Sequence, residues 1–182
     1  MNTIYYVVFG LLATFVFAAV FGGSEPLDTV QTVDLKRYAG KWFEVARLPN
    51  SFEKNCAGNV TAEYAPLDDG KISVINRCSK AAGGEIIARG KARVKDRQTN
   101  AKLKVSFAPD FLSFLPFVWG DYWILELGEN YEYAVVGDES REYFWILSRS
   151  PQLDDALMNE ILQRFGKKGF DVKKIIKTKQ GI

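Results

Sequence analysis

Hydrophobic and polar residues alternate along most of the chain beyond residue 33, in short runs that turn residues separate. In residues 88–95, arginines and lysines alternate with alanine, glycine and valine. A period of two places the charged side chains in water and the small ones on the opposite face of a strand. Residues 103–107 repeat the pattern, with Leu103, Val105 and Phe107 on the inner face. Many short strands of this kind predict an antiparallel β-barrel or sandwich, and small inward side chains leave space inside it.

The clearest hairpin has a Pro-Leu-Asp-Asp-Gly turn at residues 66–70. If Val60 faces Val74 across this hairpin, Cys56 falls opposite Cys78. Cross-strand neighbours on one face lie near disulfide range. An even number of cysteines in an exported protein also favours a bond. We therefore expect a disulfide between the two cysteines; the alternative is two free, buried thiols.

The last third of the chain predicts further strands and one helix. Ser150 is a favourable helix cap, Pro151 suits the first helical position, and Gly166 is expected to end the helix. Leucine, isoleucine and phenylalanine recur every four residues between them, which gives the helix one apolar stripe. This stripe packs on the outside of the barrel or, alternatively, binds a membrane or a partner. The other predicted strands are residues 57–64, 71–78, 122–127, 133–136, 143–147 and 172–177.

Residues 4–21 are almost continuously apolar, and a glycine-rich break follows them. This pattern is typical of an export signal, although the run is also about long enough to span a bilayer as an uncleaved anchor. We expect residues 1–23 to be that signal or anchor, and residues 24–182 to form one domain in the periplasm, at the outer membrane or outside the cell. Because the only cysteines are Cys56 and Cys78, we expect no lipid on an N-terminal cysteine.

Residues 111–119 are unusually apolar for a segment between strands. Pro116 and the crowding of bulky side chains argue against a regular central strand here. Such a run is either packed against a neighbour or exposed for a purpose. The open alternatives are simple packing and a lip of the barrel that contacts membrane or an apolar ligand.

Composition excludes several classes of function. The net charge of +2 on 182 residues lacks the basic excess that is typical of nucleic-acid-binding proteins. We therefore interpret the basic residues of 88–95 as the solvent-exposed face of a strand. The chain has no histidine, which is the commonest general base and metal ligand. No zinc-ligand cluster, nucleophile elbow or phosphate-binding glycine loop is present in the sequence. We predict no catalytic, metal or cofactor site.

Two segments carry a family resemblance. GKWFEVAR at residues 40–47 places Trp42 at the start of a strand after Gly40, and FWILSRSP at residues 144–151 ends a strand on Arg149. A guanidinium stacks well on an indole face, so this pair suits the closure of one end of a barrel. Together with VTAEY, DGKISVIN and LKVSF in order between them, the segments resemble the lipocalin family. The resemblance is closer to bacterial outer-membrane lipocalins than to apolipoprotein D-like members.

The resemblance implies an all-β fold, an eight-stranded antiparallel up-and-down barrel with one C-terminal helix packed outside. It also implies binding, storage or transport of a hydrophobic small molecule such as a fatty acid or lysophospholipid. The rival hypotheses are a lipocalin-like isomerase or de-epoxidase, which would use a free thiol, and a membrane-tethered module whose barrel is full. Glu44 has inward parity and either meets a polar head group or forms an internal salt bridge. The predicted lining residues are Glu44, Ala62, Tyr64, Ile72, Val74, Asn76, Ala88, Ala92, Leu103, Val105, Tyr143 and Trp145.

Overall fold

The computed structural model describes residues 26–181. A short helix and eight strands come first, followed by a longer helix and a ninth strand. Two 3₁₀ turns lie between the fifth and sixth strands, at Asp110–Leu112 and Pro116–Val118, and a third lies at Val172–Lys174. The elements are α1 (Leu35–Tyr38), β1 (Gly40–Arg47), β2 (Gly58–Pro66), β3 (Ile72–Ser79), β4 (Glu85–Val94), β5 (Lys102–Ser106), β6 (Gly120–Leu127), β7 (Tyr133–Gly137), β8 (Phe144–Ser148), α2 (Asp155–Lys167) and β9 (Ile176–Lys177).

The strands form a closed barrel. Each strand from β1 to β7 pairs antiparallel with the next, and β8 pairs back with β1. The expected eight-stranded up-and-down barrel is therefore confirmed. Neighbouring strands run in opposite directions, so every second connection lies at the end of the barrel opposite α1. These are the connections β1–β2, β3–β4, β5–β6 and β7–β8. We call that end the open end.

Alternate residues of the strands contribute to two different cores. In β8, Trp145 and Leu147 belong to the cluster inside the barrel, whereas Phe144 and Ile146 pack outside it against α2. The period of two along a strand accounts for this division. From α2, Phe165 packs into this outer core. The expectation that the helix packs on the outside of the barrel is thus confirmed.

The ninth strand fills a gap in the wall. β1 pairs with β2 only along its first half and with β9 at Ala46 and Arg47. Beyond β9, the Gln180 side-chain amide donates to the carbonyls of both Glu44 and Val60, at 2.8 and 2.9 Å. The C-terminal segment therefore joins β1 to β2 where the two strands no longer pair directly.

The predicted register of the β2–β3 hairpin was wrong by four residues. Val74 lies opposite Tyr64, not Val60. The turn is tight, with the Leu67 N–H donating to the Lys71 carbonyl and Gly70 at a φ of +77°, and turn geometry sets the register of a hairpin. An even shift moves no side chain to the other face, so the inward assignments on these strands keep their parity.

Three further boundaries differ from the sequence-based expectation. The cap of α2 is Asp154, whose carboxylate accepts from the Leu157 N–H at 3.0 Å, so the helix starts after Pro151 and not at it. It runs through Gly166 and ends before Gly169, which has a φ of +92°. At the end of β5, Phe107 is 45% exposed, because it lies beyond the last paired residue of that strand.

Among residues 26–181, no helix is both long enough and apolar enough to cross a membrane. The segment expected to be a signal or anchor, residues 1–23, lies outside the described residues.

Candidate ligand cavity

Three residues close the end of the barrel next to α1. Trp42 is fully buried, and the Arg149 Cζ atom lies 3.8 Å from the centre of its ring. Arg149 also donates hydrogen bonds of 2.7–3.2 Å to the backbone carbonyls of residues 37, 38, 39 and 41. Gly40 has a φ of +92°, and a side chain there would begin 3.5 Å from Arg149 Nη1. These contacts tie α1 to the ends of β1 and β8.

A disulfide joins Cys56 and Cys78, with their Cα atoms 5.5 Å apart. The two residues are not the direct cross-strand partners that the sequence suggested. Cys56 lies in the connection before β2, where the Ala57 N–H donates to the Ser79 carbonyl at 2.8 Å. The bond therefore fastens the β1–β2 connection to β3 at the open end.

A cavity of about 120 Å³ lies in the half of the barrel next to α1, and it is partly open to solvent, because exposed residues of α1 and of the β2–β3 turn line it. Its walls are mainly apolar, and α1, the β2–β3 turn and strands β4 to β6 contribute to them. Lys36 and Lys71 also contribute to the wall. The lining residues are Leu35, Lys36, Tyr38, Ala39, Tyr64, Pro66, Leu67, Gly70, Lys71, Ile72, Ala92, Leu103, Val105 and Tyr122.

Three tyrosine hydroxyls meet at this cavity. The Tyr122 hydroxyl lies 2.7 Å from that of Tyr38 and 2.8 Å from that of Tyr64, within hydrogen-bonding distance of both. Burial raises the pKa of Tyr64 to about 12 and raises the pKa values of Tyr38 and Tyr122 well above the usual phenol range. All three hydroxyls therefore stay protonated at physiological pH.

A second polar group is built around Glu44. Arg47 Nε lies 3.2 Å from a Glu44 carboxylate oxygen and 2.8 Å from one of Glu53, although these ion pairs are not aligned as hydrogen bonds. Thr178 donates a hydrogen bond to Glu44, and the Trp145 indole N–H donates to Glu53 at 2.9 Å. Burial raises the pKa of Glu44, and the neighbouring Glu53 raises it further. Glu44 thus takes part in an internal salt bridge, the second of its two expected roles.

Five of the twelve predicted lining residues line the cavity: Tyr64, Ile72, Ala92, Leu103 and Val105. They come from four strands, β2 to β5, that the barrel brings side by side.

The other seven predicted residues do not line it. Ala62 and Val74 are buried in the internal cluster, and Asn76 pairs in register with Ala62 and Ala88 on the neighbouring strands. Within the described part of the chain, the buried Oδ1 atom of Asn76 has no hydrogen-bond partner. Glu44 joins the salt bridge described above, whereas Tyr143 stacks on Trp145, with ring centres 5.8 Å apart.

Sequence reasoning missed Tyr38 and Tyr122. Tyr38 precedes the first strand, in a four-residue helix that no hydrophobic period reveals. Tyr122 lies in a predicted strand on the same face as Ile124, which is fully buried in the internal cluster. Strand parity is therefore the signal that would have assigned Tyr122 to the interior.

The apolar connection between β5 and β6 is exposed at the open end. Its backbone bonds from residue 109 to residue 119 join positions three apart, as in a 3₁₀ helix. Phe111, Phe114 and Phe117 in this connection are 74%, 76% and 81% exposed. Trp119 is buried beneath, stacks with Arg93 and donates to the Ser113 carbonyl at 2.8 Å.

Comparison with known proteins finds the same fold and related sequences. The Lipocalin-like domain model matches residues 33–180. The outer membrane lipoprotein Blc of Vibrio cholerae is 38% identical over 175 residues, which cover 95% of this chain and 98% of that protein. Mouse apolipoprotein D is 32% identical over 168 residues, 87% of this chain and 83% of that protein. The structure of insecticyanin from the tobacco hornworm aligns with a TM-score of 0.67 at 22% identity, over 88% of this chain and 87% of that one.

Proposed function

Because this chain belongs to the lipocalin family and its barrel contains a mainly apolar cavity, we propose that it binds a small hydrophobic molecule inside the barrel. The observation that carries the proposal is the cavity wall of Ile72, Ala92, Leu103 and Val105. Burial of each ligand methylene against such a wall contributes about 0.8 kcal/mol.

A fatty acid or lysophospholipid is the ligand class we propose. The cavity of about 120 Å³ holds roughly four water volumes of about 30 Å³ each, less than the ~300 Å³ typical of the smallest ligand pockets. It takes a short apolar molecule or a segment of a longer chain.

Filling the cavity tests this proposal. Ala92 is 1% exposed and lines the cavity from β4, so Ala92→Trp should abolish fatty acid binding by occupying its volume. Arg89→Trp adds the same indole to the outer, exposed face of the same strand and should leave affinity unchanged. Calorimetric titration of decanoic acid into the folded variants gives the comparison. Equal affinity for wild type and both variants would contradict this assignment.

The enzymatic alternative depended on a free thiol. Both cysteines of the sequence form the disulfide, so that nucleophile is not available for a reaction. The relatives named above are a lipoprotein and an apolipoprotein, names that do not describe enzymes. We therefore favour binding over catalysis.

We also propose that the exposed phenylalanines of the β5–β6 connection, Phe111, Phe114 and Phe117, contact a lipid surface. Contiguous groups of large apolar side chains that are exposed to water mark interaction sites. Phe52, in the β1–β2 connection at the same end, is 72% exposed. On the outer face of β4, Arg89 lies near the end of β5 from which the loop leaves, and its positive charge suits anionic headgroups.

Vesicle sedimentation tests this contact. Phe114→Ser combined with Phe117→Ser should lower binding to vesicles of phosphatidylglycerol and phosphatidylcholine by at least about tenfold, because each buried phenylalanine contributes about 1.5–3 kcal/mol. Ile176→Ser, a change of an exposed apolar residue in β9, serves as the control. Unchanged binding by the double variant would refute the proposal.

Export to the cell envelope is the localisation we propose. A disulfide is typical of oxidising compartments, and the V. cholerae relative is named an outer membrane lipoprotein. With both cysteines in the disulfide, we expect the mature protein to carry no acyl group on cysteine. The intact mass of the protein isolated from its own host checks both the maturation of the N-terminus and the absence of acyl groups.

A further inference from the structure

The three tyrosine hydroxyls at the cavity leave one donor without an acceptor. Tyr38, Tyr64 and Tyr122 carry three hydroxyl protons, and the chain of three oxygens makes two hydrogen bonds. Within residues 26–181 these oxygens have no other hydrogen-bond partner. Whichever way the hydroxyls turn, one O–H remains unmatched, and a buried donor without an acceptor is costly.

This donor belongs to the cavity and not to a packed part of the core. All three tyrosines line the same space, whose remaining wall is mainly apolar. The phenols are fully protonated at physiological pH because burial raises their pKa values, so the group offers a proton and does not offer a negative charge. Lys36 and Lys71 also line the cavity, but the Lys71 ammonium is paired with Asp69 at 2.6 Å, and a lysine side chain offers no acceptor. The cavity is thus apolar with a surplus of donors.

We infer that the ligand of this barrel carries an oxygen acceptor, a carbonyl or carboxylate attached to an apolar chain, and that this oxygen accepts a hydrogen bond from the tyrosine cluster. The inference rests on the proposed function, since it specifies the chemistry of a molecule in the same cavity. It also gives the ligand an orientation, with the oxygen beside Tyr38, Tyr64 and Tyr122 and the apolar part against β4 and β5.

Three probes of similar size separate this inference from the proposed function. Heptanoic acid, methyl hexanoate and heptane share an apolar chain, and only the first two have an oxygen acceptor. Wild-type protein should bind the acid and the ester about tenfold more tightly than heptane, the size of effect expected of one hydrogen bond. Failure of all three to bind would overturn the proposed function. Equal binding of all three would overturn the tyrosine inference alone.

The infrared carbonyl band of bound methyl hexanoate reads the hydrogen bond directly. In wild type the band should shift to lower frequency than in heptane solution. In the triple variant Tyr38→Phe, Tyr64→Phe and Tyr122→Phe, which keeps every ring, the shift should disappear and ester affinity should fall towards that of heptane. Tyr133→Phe removes a hydroxyl that donates to Glu126 on the outer side of the barrel, and it should change neither result.

An unshifted carbonyl band in bound wild-type complex would contradict the inference, and this measurement does not depend on how well the triple variant folds. A shifted band that persists in a folded triple variant would also contradict it, because another donor would then hold the oxygen.

Discussion

Replacement of Trp42 by alanine should destabilise the barrel more than most single changes. The side chain is fully buried, and truncation of a buried aromatic residue costs about 3–5 kcal/mol through lost transfer energy and the space left behind. The stacking of Arg149, 3.8 Å from the ring centre, adds about 1 kcal/mol. The Trp42 indole N–H also donates to the Tyr38 carbonyl at 2.8 Å, but Arg149 donates to the same carbonyl, so the truncation does not leave it unpaired. We expect a total loss of about 4–6 kcal/mol.

Urea titration followed by circular dichroism measures this loss. With a slope of about 2 kcal/mol per molar urea, the midpoint should fall by about 2–3 M. A double-mutant cycle with Arg149→Met measures the total coupling between the two side chains, which includes both their stacking and the Tyr38 carbonyl that both of them hydrogen-bond. Wild-type stability of Trp42→Ala would refute the role of this residue in closing the barrel.

Two other changes have directions that the structure determines. Burial raises the pKa of Glu44, so the folded protein binds the carboxyl proton of Glu44 more tightly than the unfolded chain does. The contribution of this protonation to the free energy of unfolding is present at acidic pH and is lost as the pH rises through the raised pKa. Glu44→Gln should therefore be more stable than wild type at neutral pH and lose that advantage in acid, and lower stability of the variant at pH 7 would show that the ion pair with Arg47 outweighs burial. Removal of the disulfide by Cys56→Ser with Cys78→Ser should cost about 3 kcal/mol, the chain-entropy value for a bond across a separation of 22 residues, and equal urea midpoints would contradict it.

The alternation of side chains made the barrel predictable from the sequence. Arginines and lysines at every second position of β4 fixed which face is wet, and the period of two fixed the inner face without knowledge of the partner strand. The register of the β2–β3 hairpin was harder to predict, because Val60 and Tyr64 have the same parity and both have side chains that suit a position opposite Val74. The turn at Gly70 decides between them, and its geometry is a matter of backbone angles.

The candidate site was predictable only in part. Ile72, Ala92 and Leu103 could be assigned by parity alone, because inward residues of a barrel meet whatever their separation in sequence. Parity does not say how far along the barrel axis a residue lies, which is why Trp145, with inward parity, is not part of the cavity wall. The tyrosine cluster joins a residue before β1 to one in β6, a contact that only the closed barrel creates.

A crystal structure of the complex with a bromine-labelled fatty acid tests the central claim most directly, because anomalous scattering locates the bromine without reference to side-chain density. We predict one bromine site per chain inside the barrel, in contact with the cavity wall formed by Ile72, Ala92 and Val105. A protein that binds saturably but places the bromine only on the exposed phenylalanines Phe111, Phe114 and Phe117, with the interior unchanged, would contradict the account.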